Sequence, residues 1–269
     1  MAYRLLVLDI DGTLRPSGQP DIPHETQEAL RAVQRCGVKV VLATGRGRAS
    51  VPKALLGRIR PDAFICCAGA EVRDGNGEAL SLTRMTPEEM YALVDFFENY
   101  EYPLRFSYTD GSYAYIGYEA FRARMLASGL DVTLRDGEDE NRHLQDMPFS
   151  AYGWLPRTAA AQFDEQYGYL GLQLLFDSGE SCDVLPRGVS KANGLHVVLE
   201  HFGLTAADCV AVGDGVNDIA LLQAADLGVC VADGAPEALQ AADRTCPPAA
   251  YCGVASLCRE LWPEAFPHG

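Results

Sequence analysis

Short apolar runs alternate with amphipathic stretches at both ends of the chain. The first run occupies positions 5–8, and positions 23–36 then carry apolar residues at helical spacing before Gly37, a residue suited to a helix cap. Predominantly apolar runs recur at 38–43, 64–67, 209–212 and 227–231, with helical patterns at 191–202 and 217–225. Because strands that alternate with helices form parallel sheets joined by right-handed crossovers, these segments predict an α/β fold with a parallel sheet.

A different pattern occupies the middle of the chain, from about position 82 to position 185. Short runs at 113–116 and 172–176 lie there among helical patterns at 87–100 and 158–167. This mixture is typical of an α+β domain whose sheet is covered on one face. We therefore predict a parallel-sheet core made of residues 1–81 and 186–269, interrupted by an inserted α+β domain at 82–185.

Two carboxylates, those of Asp9 and Asp11, come directly after the first predicted strand. Ligands of open α/β sheets bind beyond the carboxyl ends of the strands, so this pair is expected where a substrate would bind. Like charges at close range need a cation or a shared proton, which favours a hard metal ion, an acid/base pair or both. The alternative is a solvated turn, since Asp and Gly are common turn residues.

Other polar residues occupy comparable places along the chain. Thr44 and Gly45 follow the second strand, Lys191 opens a helix, and the segment 213–218 follows a later apolar strand. Together these groups could supply a nucleophile, an acid/base, phosphate-binding donors and Mg²⁺ ligands, the requirements of phosphoryl transfer. Considered singly, Thr44 could cap a helix, Lys191 could be solvated, and Asp214 and Asp218 could be turn and helix-start residues.

Composition and charge narrow the class of partner. The formal net charge is −15, which argues against nucleic acid or an anionic membrane as the main partner because both require clustered Lys and Arg. No apolar stretch approaches the roughly 20 residues of a membrane span. Nine cysteines form an odd count without the close pairs of zinc sites. We expect reduced thiols in a cytoplasmic protein, as a monomer or a homodimer.

Four motifs carry a resemblance to a known family. Asp9-Ile10-Asp11-Gly12-Thr13, Ala43-Thr44-Gly45-Arg46, Gly188-Val189-Ser190-Lys191 and Gly213-Asp214-Gly215-Val216-Asn217-Asp218 occur in the family's order and span most of the chain. The sequence resembles the haloacid dehalogenase superfamily of phosphatases, in its Cof-type sugar-phosphate branch with a large C2 cap after the second motif. The resemblance implies a Rossmann-like core under an α+β cap. One departure is Ala68, where the family often has Asn before Gly69 and Ala70.

The resemblance also implies how the reaction proceeds. Asp9 would be the nucleophile that becomes an aspartyl phosphate, and Asp11 would act as general acid and then general base. Lys191 would offset the repulsion between the Asp9 carboxylate and the phosphate dianion.

Metal and phosphate binding are implied in the same way. The Asp9 carboxylate, the Asp11 backbone carbonyl and the Asp214 carboxylate would hold Mg²⁺, an oxygen-only ligand set. The remaining motif residues would bind or orient: Thr44 through its hydroxyl and Gly45 through backbone N–H groups on the phosphate, Asn217 on phosphate or substrate, and Asp218 on metal-bound waters. Arg46 is expected to be solvated, as most arginines are.

The leading hypothesis is a Mg²⁺-dependent phosphatase that hydrolyses small phosphomonoesters, such as sugar phosphates or similar metabolites. A phosphotransferase or phosphomutase of the same superfamily stays open, because it shares the aspartyl-phosphate step. A non-catalytic phosphate and Mg²⁺ sensor is the alternative from another class, although such a module has no need of a general acid at Asp11.

Side chains of the inserted domain could read the substrate. Candidate contacts combine aromatic rings, which stack on sugars, with arginines, which bind anions: Tyr108, Tyr113, Tyr115, Trp154, Arg105 and Arg157. Strand propensity favours packing within the inserted sheet as the role of the tyrosines.

Overall fold

The computed structural model describes residues 3–127, 134–138, 141–176 and 179–266. Its strands are β1 (Leu5–Leu8), β2 (Lys39–Ala43), β3 (Ala63–Cys66), β4 (Glu71–Asp74), β5 (Ala79–Leu82), β6 (Leu104–Tyr108), β7 (Gly111–Ile116), β8 (Leu134–Asp136), β9 (Ser150–Trp154), β10 (Gln173–Phe176), β11 (Ser181–Leu185), β12 (Cys209–Gly213), β13 (Leu227–Val231) and β14 (Arg244–Cys246). Its helices are α1 (His24–Arg35), α2 (Lys53–Leu56), α3 (Pro87–Asn99), α4 (Tyr118–Ala127), α5 (Arg157–Tyr167), α6 (Lys191–Phe202), α7 (Ile219–Ala224), α8 (Pro236–Ala241) and α9 (Gly253–Leu261).

Eight strands form the larger sheet, in the order β14-β13-β12-β1-β2-β3-β4-β5. The six strands from β14 to β3 are parallel, and β1 lies in the middle with Leu5 opposite Cys209 on one side and Lys39 on the other. All four residues of β1 are fully buried. Leu6 and Leu8 pack towards α1 and α9, whereas Leu5 and Val7 pack towards α6 and α7. Burial on both faces explains the continuous apolar runs and confirms the predicted α/β core.

An antiparallel hairpin, β4 and β5, extends this sheet beyond β3, and the sequence pattern did not predict it. The charged residues of this hairpin interrupt the apolar pattern by which buried strands are predicted. Glu71 is fully buried, but hydrogen bonds satisfy its carboxylate. Arg73 Nε donates to the Glu71 carboxylate at 2.7 Å, and the Arg48 backbone N–H donates at 3.0 Å. These two hydrogen bonds offset the cost of burying the charged Glu71 side chain, and one of the donors, Arg48, is distant along the chain.

The smaller sheet has six strands in the order β10-β11-β9-β6-β7-β8 and is antiparallel except for the pair β7 and β8. Helices α3 and α5 cover one of its faces, against which Leu104, Phe106 and Tyr108 of β6 pack. Tyr113 is buried in the same cluster, so the expectation that these tyrosines pack the sheet is confirmed. The predicted α+β character of the insert is confirmed, while the domain boundaries at 82 and 185 stay predictions.

Within the described part of the chain, no helix combines the length and the apolar character that a bilayer crossing requires.

Candidate active site

A cavity of about 650 Å³ lies between the carboxyl end of the larger sheet and the face of the smaller sheet opposite α3 and α5. The larger sheet and its loops contribute Asp9, Asp11, Thr44, Gly45, Arg46, Asp214, Asn217 and Asp233, among others. The smaller sheet and α4 contribute Arg105, Phe121, Arg124, Tyr152, Leu175, Ser181 and Asp183, among others. The strand-end argument therefore predicted the position of this cavity correctly.

The centre of the site is a buried ion-pair cluster. Lys191 Nζ donates to Asp9 Oδ1 and to Asp218 Oδ1, each at 2.6 Å. The Lys191 side chain is 0% exposed, which excludes the solvated alternative. Burial alone would lower the pKa of Lys191, but the carboxylates of Asp218 and Asp9 outweigh it and hold that pKa above its usual value. The two carboxylates therefore favour the charged form of the Lys191 ammonium beside Asp9.

The start of α6 sets the position of Lys191. Ser190 is the N-cap, and its hydroxyl accepts a hydrogen bond from the Asn193 backbone N–H at 3.2 Å. Lys191 is the first helical residue, where the helix dipole disfavours a cation. Two carboxylates compensate for that unfavourable location, so the side chain is held there by the site and not by the helix.

Asp214 faces the same cluster from the loop after β12. Thr13 Oγ1 donates to Asp214 Oδ1 at 2.8 Å. Gly12, between the two motif aspartates and Thr13, has a φ of +93°, and a Cβ there would lie 2.2 Å from Asp214 Oδ2. Only glycine fits both constraints. Burial and the nearby Asp218 carboxylate raise the pKa of Asp214 to about 6.

The carboxylates of Asp9, Asp214 and Asp218 could hold a metal ion, because each offers an oxygen within 4.8 Å of the others. Lys191 supplies one positive charge against these three acidic groups, so a divalent cation would balance the charge, and the all-oxygen donor set fits Mg²⁺. Both carboxylate oxygens of Asp218 already accept hydrogen bonds. Oδ1 accepts from Lys191, and Oδ2 accepts from the backbone N–H groups of Asp214 at 3.1 Å and Gly215 at 2.9 Å. These hydrogen bonds suit the orienting role predicted for Asp218 better than direct ligation of a metal.

Two arginines engage the side chain of Asp11. Arg46 donates from Nε at 2.5 Å and from Nη2 at 2.8 Å, and Arg15 donates from Nε at 2.8 Å. The Arg46 side chain is only 14% exposed, so the expectation that it is solvated was wrong. Burial alone would raise the pKa of Asp11, but the two guanidiniums outweigh it and lower that pKa. Sequence spacing gave no sign of this partnership, because Arg46 lies on a different strand end.

The loop after β2 presents Thr44 and Gly45 to the cavity. Thr44 is buried, and its Oγ1 accepts from the Arg46 backbone N–H at 3.2 Å, which leaves the hydroxyl proton available for a ligand oxygen. The next helical turn begins at Arg48, so Thr44 does not cap a helix. Asn217 lies close to this loop: a Cβ atom added to Gly45 would be 3.8 Å from Asn217 Nδ2.

The departure from the family motif at Ala68 has a local conformational meaning. Ala68 has left-handed backbone angles, φ 50° and ψ 29°, a conformation that Asn adopts more readily than Ala. The Ala68 backbone N–H nevertheless donates to the Thr44 carbonyl at 2.9 Å and so supports the Thr44 loop. The backbone role of this position is kept without an Asn side chain.

One transverse row of side chains crosses the face of the smaller sheet that lines the cavity. Arg105 lies opposite Tyr152, Tyr152 opposite Asp183, and Asp183 opposite Leu175 on four adjacent strands. Asp183 Oδ2 lies 3.2 Å from where a Cβ on Gly45 would be, so this row closely faces the Thr44 loop. Arg105, one of the six side chains of the inserted domain predicted to contact the substrate, lines the cavity.

The other candidates of the insert have packing partners. The rings of Trp154 and Phe121 lie 4.4 Å apart, and the guanidinium of Arg157 lies 5.2 Å from the ring centre of Phe176. The hydroxyl groups of Tyr108 and Tyr115 share a hydrogen bond of 3.1 Å. Sequence reasoning missed Tyr152 and Asp183, whose place in the cavity follows only from strand register.

Known phosphatases resemble this chain in sequence. Phosphoglycolate phosphatase from Methanothermobacter thermautotrophicus is 26% identical over 96% of this chain and 98% of its own. HMP-PP phosphatase from Cronobacter sakazakii is 26% identical over 88% of this chain and 86% of its own.

Solved structures share the fold. The phosphatase BT1666 of Bacteroides thetaiotaomicron has a TM-score of 0.84 at 20% identity, covering 97% of this chain and 95% of its own. The sugar phosphatase BT4131, described as a haloacid dehalogenase subclass IIB enzyme, has a TM-score of 0.86 at 23% identity, covering 96% and 98%. The family model of haloacid dehalogenase-like hydrolases matches residues 6–257. The chain therefore belongs to the haloacid dehalogenase-like hydrolase family, which confirms the family and the enzyme class predicted from the sequence.

Proposed function

We propose that this enzyme is a Mg²⁺-dependent phosphatase that hydrolyses small phosphomonoesters, sugar phosphates or similar metabolites, through an aspartyl phosphate on Asp9. The observation that carries the proposal is the buried Lys191, bonded at 2.6 Å to Asp218 and to Asp9, which lines a cavity together with Thr44, Gly45 and Asn217. The names of the phosphatase relatives support the same reaction class.

In the first step, a carboxylate oxygen of Asp9 attacks phosphorus and the bond from phosphorus to the ester oxygen breaks. Lys191 reduces the repulsion between the carboxylate and the phosphate dianion, while the Thr44 hydroxyl and the Gly45 loop donate to phosphoryl oxygens. Asp11 gives its proton to the departing alcohol. In the second step water attacks the phosphoryl group, Asp11 takes a proton from that water, and inorganic phosphate leaves with Asp9 restored.

Metal binding is assigned to Asp9, Asp214 and the backbone carbonyl of Asp11. When bound, Mg²⁺ would neutralise charge on the phosphoryl oxygens. Thr13 orients the Asp214 carboxylate, and Asp218 joins Lys191 to the backbone of the Asp214 loop. These bonds keep the acidic groups of the larger sheet in a fixed arrangement before substrate arrives.

The acid role of Asp11 requires its carboxylate to be released from Arg46. As long as the Arg46 and Arg15 guanidiniums hold Asp11, they favour its ionised form and oppose proton donation. Arg46 also lines the cavity, so the substrate dianion is an alternative partner for its guanidinium. Exchange of that partner would free Asp11 to carry the proton only when a phosphate ester is bound.

The test is hydrolysis of p-nitrophenyl phosphate with Mg²⁺ by the wild type and by Asp9→Asn. We expect the substitution to lower kcat roughly 10⁴-fold or more, since it removes the nucleophile, while the circular dichroism spectrum stays unchanged. Retention of full activity would refute the assignment of Asp9. Adding a free sugar as acceptor distinguishes the mutase or transferase alternative, which would yield a new sugar phosphate in place of inorganic phosphate. Binding without turnover would indicate the sensor alternative.

A further inference from the structure

Arg105 lines the cavity but, unlike Arg46, has no carboxylate partner within ion-pair distance among residues 3–127, 134–138, 141–176 and 179–266. One of its five N–H donors is used, by Nη1 on the Ser112 hydroxyl at 3.0 Å. The rest of the guanidinium lies against aromatic rings, 4.7 Å from the centre of Tyr152 and 5.9 Å from that of Phe121. The head group is therefore held in place and still has donors to offer to a ligand.

The surroundings of Arg105 make an unpaired cation costly. Burial lowers the pKa of Arg105, an effect that Tyr152 and the Asp183 carboxylate only partly offset, although arginine stays protonated. A ligand anion would recover that cost through charge-assisted, bidentate hydrogen bonds. Arg105 lies on a strand in the middle of the smaller sheet, so its position is rigid and suited to selecting a ligand group.

The remaining charges restrict where an anion could bind. Asp183 lies two strands away in the same transverse row and faces Gly45, and Asp233 belongs to the opposite wall. These carboxylates repel a second anion but accept hydrogen bonds from hydroxyl groups. The cavity thus combines a phosphoryl position at Asp9, which is bonded to the buried Lys191, a second carboxylate at Asp183, and a cationic position at Arg105.

We propose that the substrate carries a second anionic group, a carboxylate or a second phosphate, which binds Arg105 while the transferred phosphoryl group lies at Asp9. Arg105 is then a specificity residue of the phosphatase site, an assignment that rests on the proposed function. Arg124, exposed at the cavity edge and bonded to Ser181 at 3.2 Å, is a secondary attraction for the same group. The guanidinium of Arg105 lies 4.7 Å from the ring centre of Tyr152, which helps to position it.

The experiment compares three hexose-derived probes: glucose 6-phosphate, 6-phosphogluconate and glucose 1,6-bisphosphate. We expect the wild type to favour at least one doubly anionic probe over glucose 6-phosphate by roughly 10-fold or more in kcat/KM. Arg105→Gln should remove that preference, with a roughly 10-fold to 100-fold loss on the favoured probe and a much smaller loss on glucose 6-phosphate. Preference for 6-phosphogluconate identifies a carboxylate, and preference for the bisphosphate identifies a phosphate.

Two further variants separate charge from structure. Arg105→Lys keeps the charge and should recover part of the preference, whereas Arg122→Gln, an exposed arginine of α4 paired with Glu119, should leave every probe unchanged. An equal loss on all three probes in Arg105→Gln would overturn the proposal, because Arg105 would then serve the transferred phosphoryl group. In a wild type that hydrolyses the probes, absence of any preference would overturn it as well.

Binding provides a readout that does not depend on turnover. Calorimetry on the Asp9→Asn protein should show the favoured doubly anionic probe binding roughly 10-fold or more tightly than glucose 6-phosphate, a difference lost when Arg105→Gln is added. If this difference appears while the wild type hydrolyses no ester, the proposed phosphatase function fails and the anion site stands. Turnover of p-nitrophenyl phosphate without any such difference refutes the anion site alone.

Discussion

The two walls of the cavity satisfy their charges in different ways. On the wall of the larger sheet, Lys191 is bonded to Asp9 and Asp218, and Asp11 is bonded to Arg46 and Arg15. On the wall of the smaller sheet, Arg105 has a hydroxyl and aromatic rings as neighbours. A wall whose charges are paired in advance is suited to the same chemistry on every substrate. A wall with an unpaired charge is suited to choosing among substrates.

The largest effect should come from the first wall. Lys191→Met should lower kcat/KM for all phosphate esters by roughly 10³-fold, because it removes a preorganised positive charge at the site of attack and leaves Asp9 and Asp218 facing each other. The measurement is steady-state hydrolysis of p-nitrophenyl phosphate and of the three hexose probes, with folding followed by thermal unfolding.

Lys39→Met is the matched control for that substitution. Lys39 is paired with Asp62 at 2.9 Å in the neighbouring strand β2, but at the end of the strand remote from the cavity. It should leave activity on every probe unchanged. A loss in Lys191→Met that is confined to one probe would contradict the division of roles between the two walls.

Removal of the metal should have the next largest effect. Treatment with EDTA should lower activity roughly 100-fold, and added Mg²⁺ should restore it, because carboxylates around a phosphate dianion need a compensating cation. Asp214→Asn should raise the Mg²⁺ concentration for half-maximal activity by at least about 10-fold, since it removes a charged ligand. Asp233→Asn, a change to another acid of the same cavity, should not. Activity that is indifferent to EDTA would contradict the role given to the metal.

Local sequence patterns predicted most of the larger sheet. The ranges expected for the first strand, for the helix that begins at Lys191 and for the strand 227–231 coincide with Leu5–Leu8, Lys191–Phe202 and Leu227–Val231. Burial on both faces produces continuous apolar runs, and parallel strands end at one edge, so these local signals also predict a shared site. The hairpin β4–β5 was not predicted, because the buried charge of Glu71 is satisfied in part by Arg48, which precedes β3 in the chain.

The wall of the smaller sheet could not be predicted in the same way. The row from Arg105 through Tyr152 to Asp183 exists because three separate strands pair in one register, and a shift by one residue would turn each side chain to the other face. The pairing of Asp11 with Arg46 likewise joins two loops. Motifs within one strand end can be recognised in the sequence, whereas a row across strands depends on contacts between distant segments.

The most direct test of the central claim is to find the phosphoryl group on the enzyme. Wild type and Arg105→Gln would be mixed with Mg²⁺ and p-nitrophenyl phosphate, quenched in acid within the first turnovers, digested and analysed by mass spectrometry. We predict that in both proteins the peptide containing Asp9 gains the mass of one phosphoryl group, and that Asp9→Asn shows none. A phosphoryl group on any other residue, or none in an enzyme that turns over, would contradict the claim.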